Sequence, residues 1–364
     1  MEIQAAVLHE PHGSFQIERV SLDEPRADEV VVKLAGTGVC HTDLIALEGA
    51  FPLGNGMVLG HEGAGVVQAI GASVRNVDVG DRVMLSYASC GHCRRCMRGI
   101  PQYCGSFGQL NAGGSRPDGS PTLRLDGKPL VGHWFGQSSF ASHALTYERN
   151  LVKVTDPSLP LELLGPMGCG IQTGAGAVLN TAGAEAGRSI VVFGCGGVGL
   201  AAVMAANVAG CAPIVAIDLH AHRRQLAGEL GATITIDPRE ADGAVSSVQA
   251  ALGELADYAI DTTAVAARQA VDCIGPGGVA VLIGVGMGEL TLDGEQMLYG
   301  RTVKGTIEGD AVPQDFLPRL LQLHTQGRFP FDRLVSTYPL EDINTAVADT
   351  LSGKTVKPIL VASS

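Results

Sequence analysis

Four cysteines stand close together in the first third of the chain, in the pattern C-x2-C-x2-C-x7-C. Four thiolates on one short segment can enclose a zinc ion tetrahedrally with no open position, so such a site would hold a loop in place and do no chemistry. An iron–sulfur cluster is one alternative, because its cysteines can also be separated by two residues. Four unrelated core cysteines are the other, which the neighbouring glycines and arginines disfavour because they indicate an exposed segment. The candidate ligands are Cys90, Cys93, Cys96 and Cys104.

Three further candidate ligands are dispersed along the chain, namely Cys40, His61 and Cys169. Two thiolates and one imidazole form a set that leaves the fourth zinc position for water or a substrate, as in catalytic zinc sites. The alternative for His61, which lies among glycines, is an ordinary buried histidine. The prediction of a catalytic zinc site therefore depends on a fold that brings these three residues together.

A glycine-rich loop in the second half of the chain predicts a dinucleotide site. It fits G-x-G-x-x-G, follows a strand-like run at 189–193 and precedes a helix-like segment at 198–208. Its glycines would let the backbone approach a pyrophosphate at the helix N-terminus. Asp218 ends the next strand-like run, 19 residues after Gly199, where it could accept hydrogen bonds from the adenosine ribose and repel a 2′-phosphate. NAD is therefore expected rather than NADP, and a purely structural glycine turn is the alternative. The loop residues are Gly194, Gly196, Gly197, Val198 and Gly199.

The elements that must position these residues are expected to form two domains, because a chain of 364 residues exceeds what one hydrophobic core usually holds. Residues 1–170 are predicted to be β-rich, with short apolar runs between glycine, aspartate and proline turns. From about residue 188, strand-like and helix-like runs alternate, which predicts an α/β fold with a doubly wound parallel sheet. Residues 308–364 are too short for a core of their own and are expected to rejoin the first domain, which leaves 171–307 as the dinucleotide-binding domain.

The composition is that of a globular protein, with 46% hydrophobic and 17% charged residues. The formal net charge of −12 disfavours nucleic-acid binding, which usually needs a basic face. The sequence has no apolar run of membrane-spanning length and no signal-peptide pattern, so we expect a cytoplasmic protein that contacts no membrane. In such a reducing compartment, the nine cysteines are expected to be thiols or metal ligands rather than disulfides.

Taken in order, the motifs resemble the zinc-containing medium-chain dehydrogenase/reductase family, and within it the alcohol dehydrogenases. The match consists of GVCHTD at 38–43, GHEG at 60–63, the four-cysteine segment, GCG at 168–170 and the glycine loop, and it covers nearly the whole chain. The resemblance implies a Rossmann-type domain and a β-rich GroES-like catalytic domain. It also implies about two zinc ions per chain, with the dispersed set at the catalytic zinc, together with NAD, a small alcohol or aldehyde substrate, and a homodimer or homotetramer.

The same resemblance assigns roles to residues beside the ligands. Glu62 would lie behind the catalytic zinc, and Asp43 would orient His61, as zinc-bound histidines usually require. Thr42 would hydrogen-bond the alcohol oxygen and pass on its proton. For Lys357, which would contact the cofactor pyrophosphate, an ordinary surface lysine is the alternative. The cofactor contacts assigned outside the glycine loop and Asp218 are His41, Thr173, Arg223 and Lys357.

Two segments resemble the benzyl (aryl) alcohol dehydrogenase branch: WFGQSSF at 134–140 and EGDAVP at 308–313. In that branch the first segment lines the substrate pocket. Trp134 and Phe135 would therefore form a wide apolar wall for aromatic or allylic rings, with Val285 as a third pocket residue. The alternative for Trp134 is a position in the core.

The chemistry predicted is the reversible oxidation of a primary alcohol to the aldehyde, with zinc lowering the pKa of the alcohol and Thr42 relaying its proton. Ile45 stands where many family members have the histidine that ends this relay, so the relay must end differently here. One alternative is a polyol or formaldehyde-adduct dehydrogenase, whose polar substrate the Trp134–Phe135 pair disfavours. The other is a non-catalytic nucleotide-binding protein, which the complete ligand set disfavours.

Overall fold

The computed structural model describes residues 1–52, 54–240, 243–284 and 288–361, and it divides into two compact units. Unit 1 comprises Met1–Cys169, Val312–Pro318 and Val335–Ser364, and unit 2 comprises Gly170–Ala311 and Arg319–Leu334.

The strands are β1 Glu2–Leu8, β2 Gln16–Leu22, β3 Glu29–Gly38, β4 Met57–Val58, β5 Gly63–Ile70, β6 Arg82–Leu85, β7 Leu123–Leu125, β8 Lys128–Pro129, β9 His143–Tyr147, β10 Leu151–Lys153, β11 Ile190–Phe193, β12 Ile214–Ile217, β13 Ile234–Ile236, β14 Ala256–Asp261, β15 Ile274–Leu282, β16 Thr302–Gly305, β17 Val335–Pro339 and β18 Lys357–Val361. The α-helices are α1 His41–Ile45, α2 Arg94–Met97, α3 Phe107–Ala112, α4 Gly170–Gly176, α5 Gly197–Ala209, α6 Ala221–Glu229, α7 Ala244–Leu252, α8 Ala267–Cys273, α9 Gly294–Leu298, α10 Pro313–Thr325 and α11 Ile343–Leu351. Among the described residues, no helix combines the length and the apolar character needed to cross a membrane.

Unit 1 is β-rich, as its short apolar runs predict. Its larger sheet has the order β10-β6-β5-β3-β18-β17, with β9 also paired to β3, and its smaller sheet has the order β4-β1-β2-β7-β8. In the larger sheet, β3 runs antiparallel to β5 with Thr37 opposite Gly63, and antiparallel to β18 with Gly38 opposite Ile359. The end of β3 therefore lies beside the beginnings of β5 and β18, so residues from three distant parts of the sequence meet at the same end of these neighbouring strands.

Unit 2 contains a parallel sheet of order β13-β12-β11-β14-β15-β16. Counted from the first strand of this unit, the order is 3-2-1-4-5-6, which is the Rossmann arrangement of a doubly wound sheet. Two interior strands of this sheet, β11 and β12, are buried along their whole length, as expected where helices cover both faces of a parallel sheet. The predicted doubly wound sheet is confirmed.

The boundaries of the units differ from the predicted ones at the C-terminal side. The division falls inside α10, and residues 308–311 and 319–334 belong to unit 2 rather than to unit 1. In the second of these segments Arg328 donates a hydrogen bond of 3.3 Å to the carbonyl of Val208, and Arg333 forms an ion pair with Glu229. These contacts join residues more than a hundred positions apart, and no local pattern in the sequence indicates them.

Candidate active site

The structure brings the dispersed candidate ligands together within unit 1. One ligand atom from each of Cys40, His61, Glu62 and Cys169 lies within 4.8 Å of the others. Cys40 follows β3 and caps the N-terminus of α1, and His61 and Glu62 directly precede β5. The antiparallel pairing of β3 with β5 therefore explains why these segments meet. Glu62 joins the three predicted ligands as a fourth neighbour.

The imidazole of His61 has the surroundings that a metal ligand needs. Its side chain is buried, and Nδ1 lies 2.8 Å from Oδ1 of Asp43, so the N–H at this position donates to the carboxylate. The other ring nitrogen, Nε2, is buried without a hydrogen-bond partner in the described part of the chain. A buried polar atom left unsatisfied costs free energy, and a metal ion at this nitrogen would remove that cost.

The electrostatics of the cluster favour a thiolate at Cys40. The hydrogen bond from Cys169 lowers the pKa of the Cys40 thiol well below its usual value, and the charges of His61 and Lys357 act in the same direction against the effect of burial. Burial disfavours a charged His61, but the neighbouring Asp43 and Cys40 outweigh it and raise its pKa well above the usual value. The thiolate is the form in which cysteine binds metals. A zinc ion at Nε2 of His61 would replace the proton that the same neighbours favour on this imidazole, so the donor set fits zinc.

Among the residues that the structure describes, four groups donate hydrogen bonds to the buried carboxylate of Asp43. Oδ1 accepts from Nδ1 of His61 at 2.8 Å, from Nε1 of Trp134 at 3.0 Å and from the backbone N–H of Gly60 at 3.1 Å. Oδ2 accepts from the backbone N–H of Cys40 at 3.1 Å. This carboxylate therefore connects two of the candidate ligands, and its own orientation is fixed from several sides.

Glu62 and Lys357 form a buried ion pair next to the cluster. Nζ of Lys357 lies 2.6 Å from Oε2 of Glu62 and donates a further hydrogen bond of 3.2 Å to the carbonyl of Val39. Burial raises the pKa of Glu62, and the ammonium of Lys357 opposes this shift. A Cβ at Gly38 would lie 2.0 Å from the Glu62 carboxylate, so a larger residue at this point of the GVCHTD motif would displace the carboxylate from its present position. The surface alternative for Lys357 is wrong, because its side chain is only 5% exposed.

The four neighbouring cysteines also form a cluster, in which one Sγ atom from each residue lies within 4.8 Å of the others. Backbone N–H groups donate to these sulfurs, from Cys93 to Cys90 at 3.3 Å and from Gly105 to Cys93 at 3.5 Å. The bond from Gly105 is the largest influence that lowers the pKa of Cys93 to about 6. Four thiols facing one another, with amide groups that stabilise thiolates, fit a tetrahedral metal site with no open position. The members of this cluster are Cys90, Cys93, Cys96 and Cys104.

Thr42, the predicted residue for proton transfer, lies beside one of the dispersed ligands. It belongs to the short helix α1, it is half-buried, and its Oγ1 lies 3.8 Å from Sγ of Cys40. His41 precedes it and is exposed, and Ile45 ends the helix as a half-buried apolar residue. A hydroxyl that is partly accessible and adjacent to a candidate ligand can receive a proton from a molecule bound at the cluster.

The glycine loop lies in unit 2 between β11 and α5, where the Rossmann arrangement places a pyrophosphate. A Cβ at Gly199 would lie 1.8 Å from the carbonyl oxygen of Gly194, so this glycine is required by packing within the loop. A Cβ at Gly196 would meet no atom of the described residues within 4 Å, so the loop is open on this side, where a ligand could approach its backbone. The loop therefore fits the phosphate groups of a dinucleotide.

Asp218 follows β12 and is hydrogen-bonded to the loop itself. Its Oδ2 accepts from the backbone N–H of Cys195 at 2.7 Å, and its Oδ1 accepts from that of His220 at 2.7 Å. Thr173 is buried in α4, and Arg223 is half-buried in the first turn of α6. These three predicted cofactor contacts lie in unit 2, whereas His41 and Lys357 lie in unit 1.

The two predicted aromatic pocket residues have different surroundings. Trp134 has no exposed surface and belongs to the hydrophobic core of unit 1, which favours the core alternative over a pocket wall. Phe135 is half-buried, and its ring stacks on the imidazole of His61 with 4.4 Å between the ring centroids. The prediction for Val285 lies outside the described residues.

Gln137 is a site residue that the motifs did not single out. Its Nε2 donates a hydrogen bond of 2.9 Å to the carbonyl of His61, and its Oε1 accepts one of 3.1 Å from the N–H of Gly63. Its only signal in the sequence is its position in the segment WFGQSSF, three residues after Trp134.

Comparisons with known proteins agree over nearly the whole chain. Residues 26–156 match the family described as alcohol dehydrogenase GroES-like domain, and residues 197–326 match the one described as zinc-binding dehydrogenase. The chain is 45% identical to geraniol dehydrogenase of Castellaniella defragrans, over 98% of this chain and 97% of that protein. Among solved structures, an alcohol dehydrogenase zinc-binding domain protein from Burkholderia ambifaria is 47% identical with a TM-score of 0.96, and the match covers 100% of both chains. Benzyl alcohol dehydrogenase from Acinetobacter calcoaceticus is 40% identical with a TM-score of 0.95, again over 100% of both chains.

Proposed function

The chain belongs to the zinc-binding medium-chain alcohol dehydrogenases, and we propose that it oxidises primary alcohols whose carbinol carbon adjoins an aromatic ring or a double bond, with NAD as hydride acceptor. The observation that carries the proposal is the cluster of Cys40, His61 and Cys169, with Glu62 beside it. The same chain also contains a Rossmann sheet, in which Asp218 is hydrogen-bonded to the glycine loop. The reaction removes a hydride from the carbinol carbon and a proton from the hydroxyl, and it yields the aldehyde.

Cys40, His61 and Cys169 would hold the catalytic zinc, and the four-cysteine cluster would hold a structural one. Zinc, when bound, supplies a Lewis acid that lowers the pKa of an alcohol oxygen. The contribution of Asp43 is to hold the N–H tautomer of His61 at Nδ1, which leaves the lone pair of Nε2 for the metal. The contribution of Lys357 is to neutralise Glu62, so that this carboxylate remains in the interior without an unpaired charge.

Thr42 would accept the hydroxyl proton of the alcohol at Oγ1 and release its own hydroxyl proton in the same step, because it is a partly accessible hydroxyl adjacent to Cys40. Since Ile45 offers no group that can carry a proton, the proton would leave Thr42 by a path that does not include position 45. A proton acceptor that is held beside the bound alcohol favours the reaction, because the alcohol then does not wait for a base to diffuse in from solvent.

NAD, when bound, supplies the acceptor for the hydride. The glycine loop would bind its pyrophosphate with backbone N–H groups, and Asp218 would bind the adenosine ribose. Both oxygens of Asp218 already accept backbone hydrogen bonds, which hold the carboxylate beside the loop. That charge is the reason for proposing NAD rather than NADP, whose 2′-phosphate it would repel.

Two observations support an aromatic or allylic substrate. The related proteins are a geraniol dehydrogenase and a benzyl alcohol dehydrogenase, and geraniol is an allylic alcohol as benzyl alcohol is an aromatic one. The half-buried ring of Phe135 stacks on His61, so an apolar surface lies directly beside the candidate zinc. A polyol or formaldehyde adduct, the second candidate substrate class, would need polar partners there.

A panel of alcohols assayed with NAD and with NADP tests this function. Benzylic and allylic primary alcohols should give the highest kcat/KM, with NAD as the better cofactor. Preference for sugar alcohols would exclude the proposed substrate class, and preference for NADP would exclude the role of Asp218.

A further inference from the structure

Trp134, the only tryptophan of the chain, is connected to His61 through one shared carboxylate oxygen. Its indole Nε1 donates to Oδ1 of Asp43 at 3.0 Å, and Nδ1 of His61 lies 2.8 Å from the same atom. All three side chains are buried, so these bonds form in a low-dielectric interior where water does not compete for them. The orientation of the Asp43 carboxylate, and with it that of the imidazole, therefore depends on the position of the indole.

The next residue contacts His61 directly. The ring of Phe135 stacks on the imidazole with 4.4 Å between centroids and 25° between the ring planes. The backbone of Phe135 has a φ of +50°, in the left-handed region that residues other than glycine seldom adopt. This turn allows two consecutive side chains to reach Asp43 and His61. The stacked ring opposes rotation of the imidazole out of its plane.

A third contact acts on the backbone of the same histidine. The amide of Gln137 donates to the carbonyl of His61 at 2.9 Å and accepts from the N–H of Gly63 at 3.1 Å. The side chain of Gln137 is buried, so the amide holds the main chain on both sides of Glu62 in place.

We propose that Trp134, Phe135 and Gln137 form a positioning element for His61, which we call the His61 clamp; the inference rests on the role of His61 as a zinc ligand in the proposed function. The clamp acts on three parts of one residue: the ring edge through Asp43, the ring face, and the carbonyl. In the clamp, Trp134 positions His61 through Asp43, whereas its sequence motif predicts that it lines the substrate pocket. The site uses the indole N–H, and the apolar surface of the indole packs in the core.

The clamp should determine how firmly zinc is held at His61. Replacing a residue that orients a metal-binding histidine typically lowers metal affinity by roughly 10- to 100-fold. Trp134 acts through Asp43, so we expect Trp134→Phe, which removes the N–H and keeps an aromatic ring, to release this zinc about 10-fold faster. Zinc in the four-cysteine cluster should be retained as in the wild type.

The experiment has two measurements. The first is the rate at which the zinc protein releases zinc to a chelator. The second is the visible spectrum of the protein in which cobalt replaces the zinc at the open site. Phe15→Leu is the matched control, because Phe15 is a buried aromatic residue of the same hydrophobic core. A second variant replaces the single tryptophan with benzothienylalanine, which keeps the bicyclic shape and lacks the N–H. It preserves core packing, and so it decides the question even if Trp134→Phe folds poorly.

The expected result is faster zinc release and a changed cobalt spectrum in both position-134 variants, with Phe15→Leu like the wild type. Wild-type release rates in the benzothienylalanine protein would overturn the clamp, as would equal acceleration in Phe15→Leu and Trp134→Phe. A wild-type protein that binds no zinc at the open site would instead refute the proposed function, so the two failures are distinguishable.

Discussion

The ammonium of Lys357 lies 2.6 Å from the carboxylate of Glu62, and the two side chains are 5% and 0% exposed. Breaking a buried ion pair by removing one partner leaves an uncompensated charge in the interior. The pair joins the beginning of β18 to the residue before β5, so it also ties the last strand of unit 1 to the candidate zinc ligands.

Lys357→Met should lower the free energy of unfolding by about 3–5 kcal/mol, the typical effect of removing one partner from a buried pair. Urea unfolding of the purified protein measures this difference. The double variant Glu62→Gln/Lys357→Met should recover much of the loss, because neither side chain then carries a charge. A single variant as stable as the wild type would show that the two charges are not paired in solution.

Asp218→Asn should lower the preference for NAD over NADP, because it removes the charge that would repel a 2′-phosphate while it keeps an oxygen for one of the two backbone hydrogen bonds that the carboxylate accepts. Like-charge contacts cost several kcal/mol, so the ratio of the two kcat/KM values should fall by at least about tenfold. Asp257→Asn is the control, because it makes the same change at a carboxylate that has no predicted contact with the cofactor. Asp257 lies near the start of β14 and accepts a hydrogen bond from the backbone N–H of Ser189. An unchanged ratio in Asp218→Asn would refute the ribose assignment.

Thr42→Ala should lower kcat by roughly 10²- to 10⁴-fold, the usual effect of losing a positioned proton acceptor. The KM for NAD should stay near that of the wild type, because the hydroxyl has no assigned contact with the cofactor. Thr42→Ser keeps Oγ and should retain most of the activity. Steady-state kinetics with one alcohol decides this, and an active Thr42→Ala would mean that the proton leaves by another route.

Benzyl alcohol and geraniol should exceed ethanol in kcat/KM, because a larger apolar group buries more surface at about 25 cal/mol per Å². Conjugation of the aldehyde product also favours these substrates, so cyclohexylmethanol, which has a saturated ring, is the control and should exceed ethanol as well. Phe135→Ala should reduce kcat/KM for the ring alcohols more than for ethanol. Equal losses for all of them would show that Phe135 acts on His61 alone and does not contact the substrate.

Much of the candidate site could be predicted because its residue types and local order are informative. The residue types of Cys40, His61 and Cys169 indicate a zinc site, and the GVCHTD, GHEG and GCG motifs place them within a family pattern. The alternation of strand-like and helix-like runs from about residue 188 predicted the parallel sheet, and the glycine loop with Asp218 predicted the dinucleotide site, because each requirement is local to one strand, turn or helix.

The contacts that support the site could not be predicted, because they depend on the register of distant strands. Nothing in the sequence pairs Lys357 with Glu62 or Trp134 with Asp43. Arg116 is a further case, since it stands in a polar, glycine-rich segment that is typical of a surface loop. Its side chain is nevertheless 2% exposed, and it binds both carboxylate oxygens of Glu29, at 2.7 and 3.0 Å.

Zinc dependence of alcohol oxidation decides whether the cluster of Cys40, His61 and Cys169 is a catalytic metal site. The measurement is the initial rate of NADH formation from benzyl alcohol, with the zinc content of the same sample, before chelation, after it and after zinc is added back. We predict about two zinc ions per chain at the start. The rate of NADH formation should fall to zero as the zinc at the open site is removed, while the closed four-cysteine site keeps its metal. The rate should recover when zinc is added back. A rate that survives loss of this zinc, or a zinc-loaded protein that forms no NADH from any alcohol, would contradict the assignment.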